Sequence, residues 1–130
     1  MIIVAAAIIH RDQRILLARR PPNVHLPNLW EFPGGKVEAG ESLEAALRRE
    51  LREELDIEAN VIDEFYSTTH HYPSKSVELH FFNCIIVSGE PRAIEVAEFR
   101  WVKRADLHAY EFPEADRELI ELLARPHSSM

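Results

Sequence analysis

The alternation of apolar and polar stretches along the chain predicts strands, then a helix, then more strands and a closing helix. Residues 2–9 form an unbroken apolar run typical of a buried strand, and residues 14–18 follow a polar turn as its hairpin partner. Residues 21–28 are rich in proline and predict a loop, and residues 30–32 predict a short strand that stops at Pro33-Gly34-Gly35. The remaining predicted elements are strands at 61–69, 77–87 and 99–102, a helix at 114–123 and a frayed end at 128–130. The pattern indicates a mixed sheet with helices packed on it, in the α/β (α+β) class.

The middle helix carries acidic residues on the side that should be buried. It is predicted to begin after Ser42, a favourable N-cap, and to end near Leu55. At about 100° per residue, one apolar stripe is formed by Leu43, Leu47, Leu51 and Leu55. Glu54 falls within this stripe and Glu50 falls at its edge.

Two explanations for these acids remain open from the helix geometry. An unpaired buried carboxylate costs several kcal/mol, so a cation is expected beside each of them. The cation could be Arg48, Arg49 or Arg52 in a salt bridge. It could also be a divalent ion held by oxygen ligands, which suits Mg²⁺ or Mn²⁺.

Composition and net charge exclude several kinds of partner and of fold. The 130 residues, which we expect to form a single domain over 1–130, contain 15 Lys and Arg against 22 Asp and Glu, a net charge of −7. This acidity argues against a nucleic-acid polymer or a membrane surface as partner. The apolar run at the start is too short to span a bilayer, and the single cysteine, Cys84, excludes a disulfide framework. We therefore expect a cytoplasmic protein, either a monomer or a small homodimer.

The acidic segment resembles the motif of a known enzyme family. Gly35 is followed after five residues by Glu41 and, after seven more, by the run Arg-Glu-Leu-Arg-Glu-Glu-Leu-Asp-Ile at residues 49–57. This spacing resembles the Nudix box, G-x5-E-x7-R-E-U-x-E-E-x-G-U with U aliphatic. Asp56 replaces the last glycine, at a position after the helix where Asp tolerates the left-handed conformation better than most residues.

The resemblance to MutT-like members of the Nudix hydrolase family covers most of the chain. It extends to Arg19-Arg20, to Trp30-Glu31-Phe32-Pro33-Gly34-Gly35-Lys36, to Glu95 ahead of Trp101, and to Phe112-Pro113-Glu114-Ala115-Asp116. It implies an α/β/α sandwich in which helices flank a mixed β-sheet. It also implies Mg²⁺-dependent hydrolysis of a nucleoside triphosphate to the monophosphate and pyrophosphate, with water attacking the β-phosphorus.

The same resemblance assigns roles to individual residues. The metal, Mg²⁺ or else Mn²⁺, would be held by Glu50, Glu54, Glu95 and the backbone carbonyl of Gly34, with Glu53 as a further candidate. Glu53 and Glu50 are both candidates for the general base, and Arg49 is expected to pair with a carboxylate of the box. The expected contacts to substrate are the phosphate ligands Arg20 and Lys36, the nucleotide-binding residues Tyr72 and Lys75, and the base-recognition residue Asp116.

Asp116 bears on the choice of base. An ionised carboxylate only accepts hydrogen bonds, so it disfavours normal guanine, whose exposed N7 and O6 are acceptors. The oxidised base 8-oxoguanine carries a proton on N7, and cytosine, 5-methylcytosine and adenine each present an amino group. Asp116 leaves these bases open, and the resemblance to MutT-like enzymes favours 8-oxo-dGTP, with clearance of damaged nucleotides as the purpose, and CTP or 5-methyl-dCTP as the alternative. A protonated Asp116 would instead donate. Less favoured functions are hydrolysis of a diphosphate such as ADP-ribose and non-enzymatic nucleotide sensing.

A few further residues have chemistry but weaker signals. Glu98 is either an alternative metal ligand or, as we favour, a charge at a strand edge. Trp30, Trp101 and Cys84 are expected in the core rather than in the site. The neighbours His70 and His71 should point to opposite faces of a strand, which prevents them from sharing one ion.

Overall fold

The computed structural model describes residues 1–125, so the predicted fraying of residues 128–130 lies outside it. Within residues 1–125 it has seven strands: β1 (Ile2–Arg11), β2 (Arg14–Arg19), β3 (Trp30–Glu31), β4 (Gly34–Lys36), β5 (Glu58–Tyr72), β6 (Lys75–Ser88) and β7 (Glu98–Lys103). The helices are α1 (Leu43–Leu55) and α2 (Arg117–Ala124), with short 3₁₀ helices at Arg104–Ala109 and Glu114–Asp116. No helix in these residues is long and apolar enough to cross a membrane.

The sheet is mixed, with β1 near its centre in the order β3-β2-β1-β6-β5. β1 runs parallel to β6 and antiparallel to β2 and β4, and β7 pairs with the other side of β2. The first half of β1 pairs with β4, which places Gly34 and Gly35 directly opposite Ala6 and Ala5. The buried run predicted at residues 2–9 is therefore a central strand of the sheet, which pairs with three others.

Each face of the sheet is covered by one helix. The α1 leucines pack on one face with Ala5, Ala7 and Cys84, and α2 packs on the other with Phe81 and Leu107. Both clusters are almost completely withdrawn from solvent. The predicted sandwich of a mixed sheet between helices is confirmed.

The ends of α1 follow the local chemistry of the sequence. The Ser42 hydroxyl accepts a hydrogen bond from the Ala45 N–H at 3.0 Å, as an N-cap should. Asp56 ends the helix in the left-handed conformation, with φ 57° and ψ 44°, and its N–H donates to the Arg52 carbonyl. The left-handed conformation expected at Asp56 is confirmed.

Several predicted boundaries were wrong. The short strand predicted at 30–32 ends at Glu31 as β3, but Gly34–Lys36, where only a stop was predicted, forms a separate strand, β4, that pairs with β1. A side chain at Gly34 would collide with the Ala5 carbonyl, so the glycine that indicated a stop in fact permits the pairing. The predicted closing helix becomes α-helical only at Arg117, and the strands predicted at 61–69 and 77–87 extend to leave a turn of only Pro73 and Ser74.

Candidate active site

The carboxylates of α1 lie directly against the backbone of β4. The Gly34 N–H donates to Oε1 of Glu54 at 3.1 Å. A Cβ placed on Gly35 would lie 2.4 Å from Cδ of Glu50, so a larger residue would displace that carboxylate from its present position. The two glycines therefore bring the acids of one helix turn onto the sheet edge.

Glu54 has negative neighbours, and no cationic side chain of the described residues neutralises it. Burial, together with the charges of Glu31, Glu50 and Glu95, raises the pKa of Glu54 to about 8, against the opposing hydrogen bond from the Gly34 N–H. No Lys or Arg within residues 1–125 forms an ion pair with Glu54. The salt-bridge explanation for the acids in the apolar stripe therefore fails at this residue.

Arg49 organises the other acids of the segment, as its predicted pairing with a box carboxylate requires. Its Nε donates to Glu41 at 2.8 Å and its Nη1 donates to Glu50 at 3.0 Å, with longer contacts of 3.4 Å to Glu53. Hydrogen bonds from Arg49 and from the Glu38 N–H lower the pKa of Glu41 to about 2. Burial raises the pKa of Glu50, although Arg49 opposes the shift. The other two arginines of the helix pair elsewhere, Arg48 with Glu44 and Arg52 with Glu58.

Glu95 reaches this cluster from the segment between β6 and β7. Its backbone N–H donates to the Glu54 carbonyl at 3.3 Å, and its charge raises the pKa of both Glu50 and Glu54. Glu98 lies apart on β7, where Arg19 contacts it at 3.2 Å and Arg100 at 3.8 Å. The structure thus groups Glu95 with the helix acids and leaves Glu98 as the strand-edge charge that the sequence favoured.

A cavity of about 250 Å³ opens beside the acidic cluster. Its apolar wall is formed by β1 together with Phe32 and Phe81, and Gly34 and Gly35 lie at its border with the carboxylates. All five residues expected to contact substrate line this one cavity, namely Arg20, Lys36, Tyr72, Lys75 and Asp116. They come from four separate parts of the chain, so their convergence is a property of the fold.

Asp116 is the only polar or charged residue counted as buried among the described residues, with 7% of its surface exposed. No protein group within residues 1–125 donates a hydrogen bond to its carboxyl group. Burial, and then the charge of Glu31, raises its pKa from 3.8 to about 7. A polar group in this state is available to a ligand that enters the cavity.

Comparison with known proteins identifies the family. The family model described as NUDIX domain matches residues 4–122. The chain belongs to the Nudix hydrolase family. It is 42% identical over 121 residues to the CTP pyrophosphohydrolase of Escherichia coli, covering 93% of this chain and 90% of that protein. It is 39% identical over 121 residues to the 8-oxo-dGTP diphosphatase of Haemophilus influenzae, covering 92% and 89%.

Solved structures of Nudix relatives match the fold over nearly the whole chain. The solution structure of the Escherichia coli ORF135 protein is 40% identical with a TM-score of 0.82, covering 98% of this chain and 95% of that chain. The crystal structure of the MutT protein from Methanosarcina mazei is 28% identical with a TM-score of 0.84, covering 98% and 96%. The α/β/α sandwich is therefore the Nudix fold.

Nudix enzymes typically depend on a divalent metal, and the donor set of this chain fits one. Glu50, Glu54 and Glu95 can supply hard oxygen atoms, and the pKa of Glu54 is raised first by burial and then by neighbouring negative charges. Within residues 1–125 no three acidic, His or Cys side chains already surround a common ion position. Ligation by these carboxylates would therefore require them to rotate toward the ion.

Glu31 was missed as a site residue. It lines the cavity, and its Oε1 accepts a hydrogen bond from Nη1 of Arg20 at 2.8 Å. Arg20 also donates from Nε to the His25 carbonyl at 2.8 Å, so the guanidinium that is expected to bind phosphate is already held in place. Burial raises the pKa of Glu31, with Arg20 opposing and Glu50 adding to the shift. The sequence offered one signal, an acidic residue between Trp30 and Phe32, because successive side chains of a strand point to opposite faces of the sheet.

Of the remaining residues considered from the sequence, some line the cavity and the others lie in the core. Tyr72 lies on the rim with its ring 4.5 Å from His70 and 6.3 Å from His25, and Nζ of Lys75 lies 5.9 Å from its centre. Trp30 is buried against Tyr110 and does not line the cavity. Trp101 packs on the α1 side of the core. Cys84 is fully buried, with its pKa raised by burial to about 12, so it is the inert core residue that was expected.

Proposed function

We propose that this Nudix enzyme hydrolyses nucleoside triphosphates whose base offers a hydrogen-bond donor to Asp116, releasing the monophosphate and pyrophosphate. The observation that carries the proposal is the buried Asp116, whose carboxyl group has no donor among residues 1–125 and which lines a cavity beside an acidic cluster. CTP and 5-methyl-dCTP are the preferred substrates in this proposal, and 8-oxo-dGTP is the second candidate. We further propose that the enzyme acts on the cytoplasmic nucleotide pool.

The order of these substrates reverses the one favoured by the sequence. The amino group of cytosine can donate to Asp116, and the proton on N7 of 8-oxoguanine can do the same, so Asp116 supports both. The cytosine nucleotides come first because the Escherichia coli relative named for CTP is 42% identical, against 39% for the Haemophilus influenzae 8-oxo-dGTP diphosphatase.

The acidic cluster supports metal-assisted hydrolysis. Glu50, Glu54, Glu95 and the Gly34 carbonyl would hold Mg²⁺, or Mn²⁺ in its place. When bound, the metal would offset the phosphate charge and polarise the bond to be broken. Glu53 is proposed as the general base, because its contacts with Arg49 are long while Glu50 is held at 3.0 Å. Arg49 keeps Glu50 in place.

The cationic side chains of the cavity would bind the triphosphate. Lys36 is exposed at the end of β4 and has no ion-pair partner in the part of the chain that the structure describes. Arg20 is oriented by Glu31 and by the His25 carbonyl, so a phosphate would meet a guanidinium that is already positioned. Tyr72 and Lys75 would close the cavity over the nucleotide.

The test is a comparison of substrates at equal low concentration with Mg²⁺. Pyrophosphate and monophosphate are measured for CTP, 5-methyl-dCTP, 8-oxo-dGTP, dGTP, dATP and ADP-ribose. The proposal expects the cytosine nucleotides and 8-oxo-dGTP to exceed dGTP by at least about tenfold, the discrimination that one good base contact provides. Asp116→Asn should lower this ratio, because an amide can also donate to guanine. Equal rates for dGTP would contradict the role of Asp116, and cleavage of ADP-ribose alone would contradict the substrate class.

A further inference from the structure

The segment that carries Glu95 is fastened to the end of α1. Between β6 and β7, the Arg92 N–H donates to the Leu55 carbonyl at 2.9 Å, and the Ile94 N–H donates to the Glu54 carbonyl at 3.1 Å. The Glu95 N–H shares the same Glu54 carbonyl at 3.3 Å. These bonds satisfy carbonyl groups that a helix end otherwise leaves without partners.

This arrangement connects two of the carboxylates through one residue. The side chain of Glu54 accepts the hydrogen bond from Gly34, while its backbone carbonyl accepts the bond from Glu95. The separation of the Glu54 and Glu95 carboxylates therefore depends on how closely the segment approaches the helix end.

Gly89 permits that close approach. Its φ is +88°, and a Cβ at this position would lie 2.9 Å from the Asp56 carbonyl oxygen. A backbone oxygen cannot rotate away as a flexible side chain can, so a larger residue would push the segment off the helix. The Asp56–Arg92 ion pair across the same contact is weak, because both side chains are mostly exposed and the atoms are 3.5 Å apart.

We propose that Gly89 is a positioning residue for the divalent metal: by seating the segment after β6 on the end of α1, it sets the distance between Glu95 and Glu54. The proposal rests on the proposed function in one respect, the use of Glu95 as a metal ligand. Gly89 lies outside the Nudix box, 33 positions after Asp56, and it acts only through the backbone of its segment.

The test measures Mn²⁺ affinity of the full chain without nucleotide, by calorimetry or by the loss of the free-ion electron paramagnetic resonance signal. Gly89→Ala should weaken binding about tenfold, the lower end of the effect of residues that orient metal ligands. Gly40→Ala is the matched control, since Gly40 has a similar φ of +84° but no atom within 4 Å of an added Cβ. It should bind Mn²⁺ within about twofold of the original protein, although both variants carry similar backbone strain.

Two further variants keep the outcome decisive. Asparagine tolerates positive φ better than alanine does and still adds a Cβ, so Gly89→Asn should fold and should also weaken Mn²⁺ binding. Glu95→Gln should weaken binding at least as much as Gly89→Ala. If Glu95→Gln binds normally, the proposed ligand set is wrong and the inference falls with it. If Glu95→Gln binds poorly but both Gly89 variants bind normally, or if Gly40→Ala is equally impaired, the positioning role is refuted and the proposed function stands.

Discussion

Asp116 should make the stability of the protein fall as the pH rises. Its pKa is raised from 3.8 to about 7, first by burial and then by the charge of Glu31. The folded protein therefore holds this proton more tightly than the unfolded chain, and stability declines between these two pH values and levels off above them. At 1.36 kcal/mol for each pH unit the total is about 4 kcal/mol, of which about 2.5 kcal/mol falls between pH 5 and pH 8.

The variant Asp116→Asn keeps the shape of the side chain and removes its ionisation. The free energy of unfolding, measured by urea denaturation at pH 5 and pH 8, should fall by about 2.5 kcal/mol more in the original protein than in the variant. Glu54 and Glu31 titrate in both proteins, so the difference isolates Asp116. Asp106→Asn, at an exposed position of the first 3₁₀ helix, is the control and should behave as the original protein does.

The same titration should change the choice of base. Above about pH 7 the carboxylate only accepts hydrogen bonds, and below it the carboxyl can also donate to guanine. The ratio of kcat/KM for CTP to that for dGTP should therefore rise as the pH passes through 7.

If the original protein and Asp116→Asn lose the same stability between pH 5 and pH 8, burial does not raise the pKa of Asp116 and the reasoning is refuted.

Three other predictions test separate parts of the account. Glu54→Gln should lower Mg²⁺-dependent kcat/KM for CTP at least about 100-fold with little change in thermal midpoint, and near-normal turnover would remove Glu54 from the ligand set. Ser42→Ala should cost about 1 kcal/mol by loss of the N-cap, seen as a fall of about 4 °C in Tm, whereas an unchanged Tm would show that the cap is not needed. His80 bonds to Glu78 at 2.6 Å and to Glu64 at 2.7 Å, and these bonds outweigh burial and raise its pKa above 6.5. The stability that His80 contributes is complete below pH 6.5 and is lost as the pH rises through the raised pKa. The difference in stability between the original protein and His80→Gln should therefore shrink from pH 6 to pH 9. A constant difference would contradict this.

The box helix was predictable because its determinants are local. Ser42 and Asp56 define its ends by chemistry that acts within one turn, and the leucine spacing defines its buried side. The acids within the apolar stripe were visible for the same reason. Sequence alone could not exclude salt bridges for them, because that required knowing where Arg48, Arg49 and Arg52 point.

The parts that sequence missed depend on contacts between distant residues. Gly34 indicated a strand end, but its pairing with Ala6 of β1 makes it part of the sheet. Glu31 enters the site because β3 pairs with β2, which places it beside Arg20. Glu98 pairs with Arg19 because the register of β2 and β7 sets the two residues opposite each other. Register between strands leaves little trace in a single sequence, whereas turns and helix caps leave a clear one.

The most direct test of the central claim is where the oxygen of water goes during hydrolysis of CTP. With Mg²⁺ in ¹⁸O-water, attack at the β-phosphorus predicts label in pyrophosphate and none in CMP, with no turnover once the metal is chelated. Label in CMP, release of single phosphates or full activity in chelator would contradict the account.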